Sequence, residues 1–148
     1  MKITKVKDVT TPSRGNLRDA GIDFYIPNDY IGTTEIPSGH SVLIPSGIHA
    51  SIPKGYMLTA FNKSGIASKN NLLVGACVCD EEYQGEIHIN LHNVGISGQT
   101  IQPGQKIAQF ILVPVFYDTI EEVSTKEELY NNIITTRGEG GFGSTNNK

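Results

Sequence analysis

No apolar run in this chain approaches the ~18 residues of a membrane-spanning helix, basic residues are not in excess, and cysteine occurs only twice. The first absence favours a soluble protein with no membrane partner. The second bears on other partners: Lys and Arg number 12 against 15 Asp and Glu, the formal net charge is -3 and the sequence pI is about 5.8. That balance argues against holding nucleic acid through a general basic surface, so any phosphate must be bound locally. The two cysteines, Cys77 and Cys79, sit two apart in a strand-like run and point to one face, with a Cα separation unsuited to a disulfide. They fit a reducing compartment. A secretory leader is lacking too: Met1 to Lys7 alternates charged and apolar residues, which reads as a first strand and places the protein in the cytoplasm, or the host cytoplasm for a viral source.

What is present is turn chemistry. Sixteen glycines and seven prolines in 148 residues exceed the usual combined share of roughly 12%. Pro37-Ser38-Gly39, Pro45-Ser46-Gly47, Pro53-Lys54-Gly55 and Pro103-Gly104 put Pro where φ is preset and Gly where positive φ is needed. Between such signals lie short apolar runs: Ile22-Phe24-Ile26, Val42 to Ile44, Ile48-Ala50-Ile52, Met57 to Ala60, Leu72 to Val74, Ile87-Ile89-Leu91 and Ile107 to Val113. Many short strands at this spacing predict one all-β domain, a sandwich or barrel. Helical signals are few: overlapping capping boxes at Ser124/Glu127 and Thr125/Glu128 predict one short helix, and Ser64 to Lys69 a single turn.

Three polar segments offer chemistry. After Thr136 the chain holds one Arg and one Phe among four glycines, followed by Ser and Thr. Composition leaves a disordered tail and a ligand-closing arm both open, since glycines admit an anion to backbone N–H groups, Arg137 offers a fork to phosphate and Phe142 a stacking face. Asn62 to Ala67 places a cation, a hydroxyl and a glycine before the expected helical turn, without a Walker loop's spacing. Cys77 to Glu86 reads as a hairpin arm ending in Asp80, Glu81 and Glu82; a carboxylate at the end of an apolar strand can orient and deprotonate a water, while solvated turn acids are the plain alternative. His88 and His92 share one strand face, but their spacing with Cys77 and Cys79 does not make a zinc site, and His40 and His49 face solvent beside turns.

Five segments in order resemble the motifs of the homotrimeric dUTPase family, the deoxyuridine 5'-triphosphate nucleotidohydrolases. They are Asp19 to Phe24, Lys63 to Ala67, Gly75 to Gly85, Gly104 to Ile111, and Arg137 to Thr145, and together they span nearly the whole chain. The resemblance implies a jelly-roll-like β-barrel or sandwich over residues 1–136, with a short helix, and a flexible C-terminal arm over residues 137–148 that closes over the active site. It implies a homotrimer with active sites shared between subunits, and the reaction dUTP + H₂O → dUMP + pyrophosphate.

Residue by residue, Asp80 matches the carboxylate that activates water for attack on the α-phosphorus, and Tyr83 the aromatic that packs on deoxyribose and excludes a 2′-hydroxyl. The backbone of Cys77, Val78 and Cys79 matches the strand that reads uracil. Lys63, Ser64, Gly65 and Gln109 fall at substrate-binding positions for the phosphates, Arg137 at the arm's γ-phosphate contact, Phe142 at the ring stacked on uracil, and Gly143 and Ser144 at further arm contacts. A Mg²⁺ ion bridging the phosphates is implied, with Asp23 reaching it only through water. The chain departs from the family pattern with Lys63 and Lys106 for Arg, Cys77 for Gly, Cys79 for Ile and Gln84 for Arg; a thiol beside Asp80 suggests sensitivity to thiol reagents where it is accessible. The alternative readings are a dCTP deaminase-like enzyme or a regulatory nucleotide-binding member of the same superfamily. The deaminase's Ser-Ala-Arg segment is not evident.

Overall fold

A computed structural model describes residues 1–141; Phe142, Gly143 and Ser144 lie outside the described residues. In chain order the elements are β1 (Lys2–Lys5), β2 (Ile22–Tyr25), β3 (Glu35–Ile36), β4 (Ser41–Pro45), β5 (Ile48–Ser51), β6 (Tyr56–Asn62), α1 (Ser64–Asn70), β7 (Leu72–Val74), β8 (Val78–Cys79), β9 (His88–Asn93), β10 (Gln99–Thr100), β11 (Lys106–Pro114) and α2 (Lys126–Leu129). Every apolar run read as a strand lies in or against one. The glycines of the Pro-x-Gly turns, Gly39, Gly47 and Gly55, have φ of 75°, 74° and 79°, the positive values those turns were expected to need.

The larger sheets are β2-β11-β6-β8 and β4-β9-β7, with β1-β5 and β10-β3 as two-stranded ribbons, and every ladder is antiparallel. This is the all-β, jelly-roll-like architecture. Phe24, Leu58 and Phe110 from one large sheet and Ile44, Leu72, Ile89 and Leu91 from the other are buried in one shared core. Each such side chain contributes about 1.5–3 kcal/mol. Phe24 and Phe110 meet at a centroid distance of 4.3 Å with a 42° tilt, a ring pair fixed by the β2–β11 register. Alternation is plain in β9, where His88 and His92 are exposed while Ile89, Leu91 and Asn93 are buried.

Asn93 is the buried exception among these inward residues. Its Nδ2 donates to Ile36 O and Ser97 O, both at 2.8 Å, and its Oδ1 accepts from Gly95 N at 2.9 Å. The side chain thereby ties the end of β9 to β3 and closes its own following turn.

Two expectations are corrected. Cys77 to Glu86 does not form one arm of a hairpin with the next strand: β8 pairs with β6, whereas β9 pairs with β4 and β7, so residues 80–87 cross between sheets. Partner choice is set by which sheet buries each strand, which local sequence does not encode. The turn expected at Ser64 extends through Asn70 and stops where Asn71 takes φ 52°, its N–H donating to Ala67 O. By its internal contacts the chain forms two compact units, Met1–Phe116 and Tyr117–Lys148. In the second unit α2 is capped by Thr125, whose Oγ1 accepts from Glu128 N at 3.1 Å, the second of the two capping boxes expected. Among the described residues no helix is long and apolar enough to cross a membrane.

Asn93→Ala leaves the buried Ile36 carbonyl without that partner, at about 1–3 kcal/mol, while the Ser97 carbonyl and the Gly95 N–H, nearer to solvent, cost less. It should therefore lower Tm by roughly 5–10 °C in a chain of this size, measured by thermal melting; an unchanged Tm would show that water replaces all three bonds.

Candidate functional site

At one end of the four-stranded sheet, three of the five segments meet. Asp23 on β2 lies opposite Gln109 on β11, and Lys63 follows directly on β6, whose Asn62 lies opposite Ala108. Asp23 is 6% exposed and holds two cations, Lys63 Nζ at 2.5 Å from Oδ1 and Lys106 Nζ at 2.8 Å from Oδ2. Burial works to raise the Asp23 pKa, but the hydrogen bonds from Lys106 and Lys63 and their charges outweigh it and hold the carboxyl below its ordinary 3.8. The same bond to Asp23 raises Lys106, which also lies 5.6 Å from the Tyr25 ring centroid. Ser64 and Gly65 open α1 beside Lys63 and are exposed.

Gln109 is locked into the same corner. Its Nε2 donates to Asn62 O at 2.8 Å, and a Cβ on Gly21 would stand 2.0 Å from its Oε1. Only glycine at position 21 leaves room for that amide. Asn62 is a residue that sequence reasoning missed: its Oδ1 accepts from Val74 N at 2.7 Å and so couples β6 to β7. An Asn at a strand end just before the Lys-Ser-Gly turn was the available signal.

The Asp80 segment is built separately. Among the described residues β8 is the outer strand of its sheet, paired only with β6, and Asp80 follows it in an exposed turn closed by Tyr83 N donating to Asp80 O at 3.1 Å. In the single chain this carboxylate is exposed rather than sheltered from water. Tyr83 is 44% exposed, its hydroxyl donating to Glu86 O at 2.8 Å. Glu81 is not a merely solvated acid, since its Oε2 accepts from Gly55 N, and Glu86 Oε1 accepts from Gly47 N at 2.7 Å. His49 also departs from expectation: half-buried, its Nδ1 sits 2.8 Å from Gln84 O, so it braces the turn that carries Tyr83. Glu82 remains exposed.

The thiols are half-buried and unpaired by any disulfide. Cys77 Sγ donates to Gly75 O, and burial, reinforced by the charge of Asp80, pushes the Cys79 thiol up. At Cys79, the thiol beside Asp80, this opposes the expected reactivity toward thiol reagents.

Within the second unit, Arg137 is exposed and its Nε donates to Gly140 O at 3.0 Å, while Lys126 pairs with Glu139. Among the described residues no three His, Cys, Asp or Glu side chains are grouped to hold a metal ion.

The separation within the first unit is the main geometric result. Cys79 lies opposite Leu58 on β6 and Asp80 follows it toward Met57, whereas Lys63 leaves the other end of β6. At ~3.3 Å per residue the two ends stand roughly 20 Å apart. One chain therefore presents a cationic corner at one end of β6 and a carboxylate with an aromatic at the other.

The Asp23 pairs give a pH prediction. Because the carboxyl's pKa is lowered in the folded chain, its stabilisation is present above the ordinary value of 3.8 and is lost as pH falls through the folded value. Asp23→Asn should cost about 1–2 kcal/mol at neutral pH, less than a fully buried pair because both lysines reach solvent. Thermal melts should show the gap to the unsubstituted chain closing toward pH 3. An equal gap at pH 7 and pH 3 would assign the cost to packing.

A family model for dUTPase matches residues 7–146. The chain is 38% identical over 136 residues to the deoxyuridine 5'-triphosphate nucleotidohydrolase of Rattus norvegicus, covering 92% of this chain and 62% of that protein. It is 36% identical over 148 residues to the enzyme of that name from Gloeothece citriformis, covering 98% of this chain and 95% of the relative. In fold it is similar to a dUTPase variant of Staphylococcus bacteriophage 80alpha solved with dUpNHpp, at a TM-score of 0.82 and 23% identity over 97% and 96% of the two chains. With the family match running from the first strand's end into the C-terminal segment, and with near full-length relatives above 30% identity, the chain belongs to the dUTPase family.

Proposed function

We propose that this chain hydrolyses dUTP to dUMP and pyrophosphate, as a trimer whose active sites combine the cationic corner of one subunit with the Asp80 turn of another. The observation that carries this reading is the placement of those two half-sites at opposite ends of β6. Neither half suffices by itself: the corner has cations for a polyanion but its buried carboxylate is already paired, and among the described residues the Asp80 turn has a carboxylate but no cation bonded to it.

In the assembled site Asp80 takes a proton from water as its oxygen attacks the α-phosphorus, the bond to the bridging oxygen breaks, and pyrophosphate leaves. Tyr83 packs on the deoxyribose. Base reading falls to the open edge of β8. Ala60 N donates to Cys77 O, so Cys77 faces β6, and alternation turns the N–H and C=O of Val78 to the other side. One donor and one acceptor there match O4 and N3–H of uracil, whereas cytosine would oppose a donor to its amine. Lys63, Lys106, Ser64, Gly65 and Gln109 receive the phosphates, which compete with Asp23 for the two ammonium groups. Arg137, Phe142, Gly143 and Ser144 supply the closing arm.

Members of the family generally depend on a metal ion. The donors of this chain fit an ion carried by the triphosphate, with Asp23 as an outer contact through water, since no set of protein ligands is grouped among the described residues. Mg²⁺, when bound, neutralises phosphate charge and fixes their geometry. The family match does not favour the deaminase-like or regulatory alternatives.

Pyrophosphate release measured side by side with dUTP, dCTP, UTP and dTTP should show dUTP strongly preferred; preference for dCTP would overturn the assignment. Asp80→Asn should retain dUMP binding and lose ~10²-fold or more in kcat. Asp80→Asn and Arg137→Ala chains, each inactive alone, should regain partial activity when co-refolded, because a hybrid trimer contains sites with both groups intact. Verified hybrids that stay inactive, or a monomer in light scattering, would sink the shared-site architecture.

A further inference from the structure

Between β7 and β8 the chain leaves one large sheet and enters the other, and only Gly75, Ala76 and Cys77 make that crossing. Its two ends are held by backbone bonds, Gly75 N to Asn90 O at 2.9 Å and Ala60 N to Cys77 O at 2.8 Å. Its middle is held by one side chain. Asn90 Oδ1 accepts from Ala76 N at 3.3 Å while its Nδ2 donates to Val42 O at 3.2 Å on β4. His92, two residues along the same face of β9, lies with Nε2 2.7 Å from that Oδ1 and, with the proton on Nε2, donates to it. The two side chains lie so close over Gly75 that a Cβ there would stand 2.1 Å from Asn90 Oδ1 and 2.4 Å from His92 Nε2.

A half-buried amide between the fully buried Ile89 and Leu91 is an unusual choice for a strand interior, where an aliphatic residue would pack without needing partners. Here its bonds serve a backbone segment that no ladder holds. We propose that Asn90, backed by His92, is a positioning residue for base recognition: it holds the Gly75–Cys77 crossing so that the edge of Val78 meets uracil in register. The inference rests on the proposed reading of β8 as the base-reading edge.

The energetics separate this role from a merely structural one. Ala76 is exposed, so water takes over its N–H when Asn90 Oδ1 is removed, and the folded chain loses little. The crossing instead gains freedom, which must be lost again each time a base binds. Binding and base discrimination then suffer while the water-activating Asp80, beyond β8, keeps its chemistry.

The test is steady-state kinetics with dUTP and dCTP, with dUMP binding by calorimetry and thermal melting alongside. Asn90→Val should raise the KM for dUTP about tenfold, leave kcat within about threefold, weaken dUMP binding in proportion and reduce the preference for dUTP over dCTP, with little change in Tm. Asn90→Asp keeps the acceptor for Ala76 and should restore most of the affinity; His92→Phe should shift KM in the same direction by a smaller factor. Gly75→Ala pushes the same two side chains aside without altering β9, so it should reproduce the Asn90→Val effect even if that variant fails to fold. The Gly75→Ala/Asn90→Val double variant should be no worse than either single one. Unchanged KM and selectivity in Asn90→Val and Gly75→Ala, beside an active unsubstituted enzyme, would overturn the inference alone. An unsubstituted chain that leaves dUTP intact would instead overturn the activity reading, and the inference with it.

Discussion

Strand β6 is paired on both edges, with β11 running beside it from Asn62 to Tyr56 and β8 beside Leu58 and Thr59. Within the first unit, the groups proposed for phosphate and base are placed by this strand. Lys63 continues from its end, Gln109 reaches back to the carbonyl of Asn62, Asp23 is placed by β11, and the Asp80 turn begins where β8 leaves it. Strand geometry then imposes the separation: a strand of this length holds its two ends too far apart for one nucleotide's reacting groups to be met by both. The proposed sharing of sites between subunits rests on the length of β6.

The second organising element is electrostatic. The chain is acidic overall, yet it brings two ammonium groups onto one nearly buried carboxylate. That arrangement gathers cationic charge at the proposed phosphate site without leaving the two ammonium groups to repel one another unpaired. Lysines in place of the family's usual arginines suit exchange between partners, since an ammonium on a flexible stem is not committed to a planar, two-pronged geometry. Asp23 thus serves the fold and the site together.

The polar side chains that matter most are those satisfying backbone outside the ladders. Asn93 closes the turn after β9, Asn62 ties β6 to β7, Glu81 and Glu86 hold the N–H groups of Gly55 and Gly47, and Asn90 supports the crossing into β8. Each bonds to backbone where a strand ends or the chain changes sheets, the places at which backbone groups lack ladder partners. The Tyr83 turn is braced in this way from several sides, with His49 at Gln84 and Glu81 at Gly55. A loop so braced, in the binding role proposed for it, has little left to order when a ligand arrives.

Local sequence by itself determined the strands, their turns and the segments that carry chemistry. Alternation in Ile87 to Asn93 marks the buried face of β9, and Pro-x-Gly marks the turns at Gly39, Gly47 and Gly55, because side-chain period and φ preference act over a few residues. The motif order likewise marked Asp80, Lys63, Gln109 and Arg137 without coordinates. Only the tertiary structure decided that β8 joins β6 rather than pairing with β9, that Asp23 binds Lys63 and Lys106, and that Asn90 reaches Ala76. Those outcomes depend on which sheet buries each strand and on meetings between residues far apart in the chain. A strand's free edge and an ammonium on a long stem accept many partners equally well, so their choice is made by the packing of the whole domain and not by their neighbours in sequence.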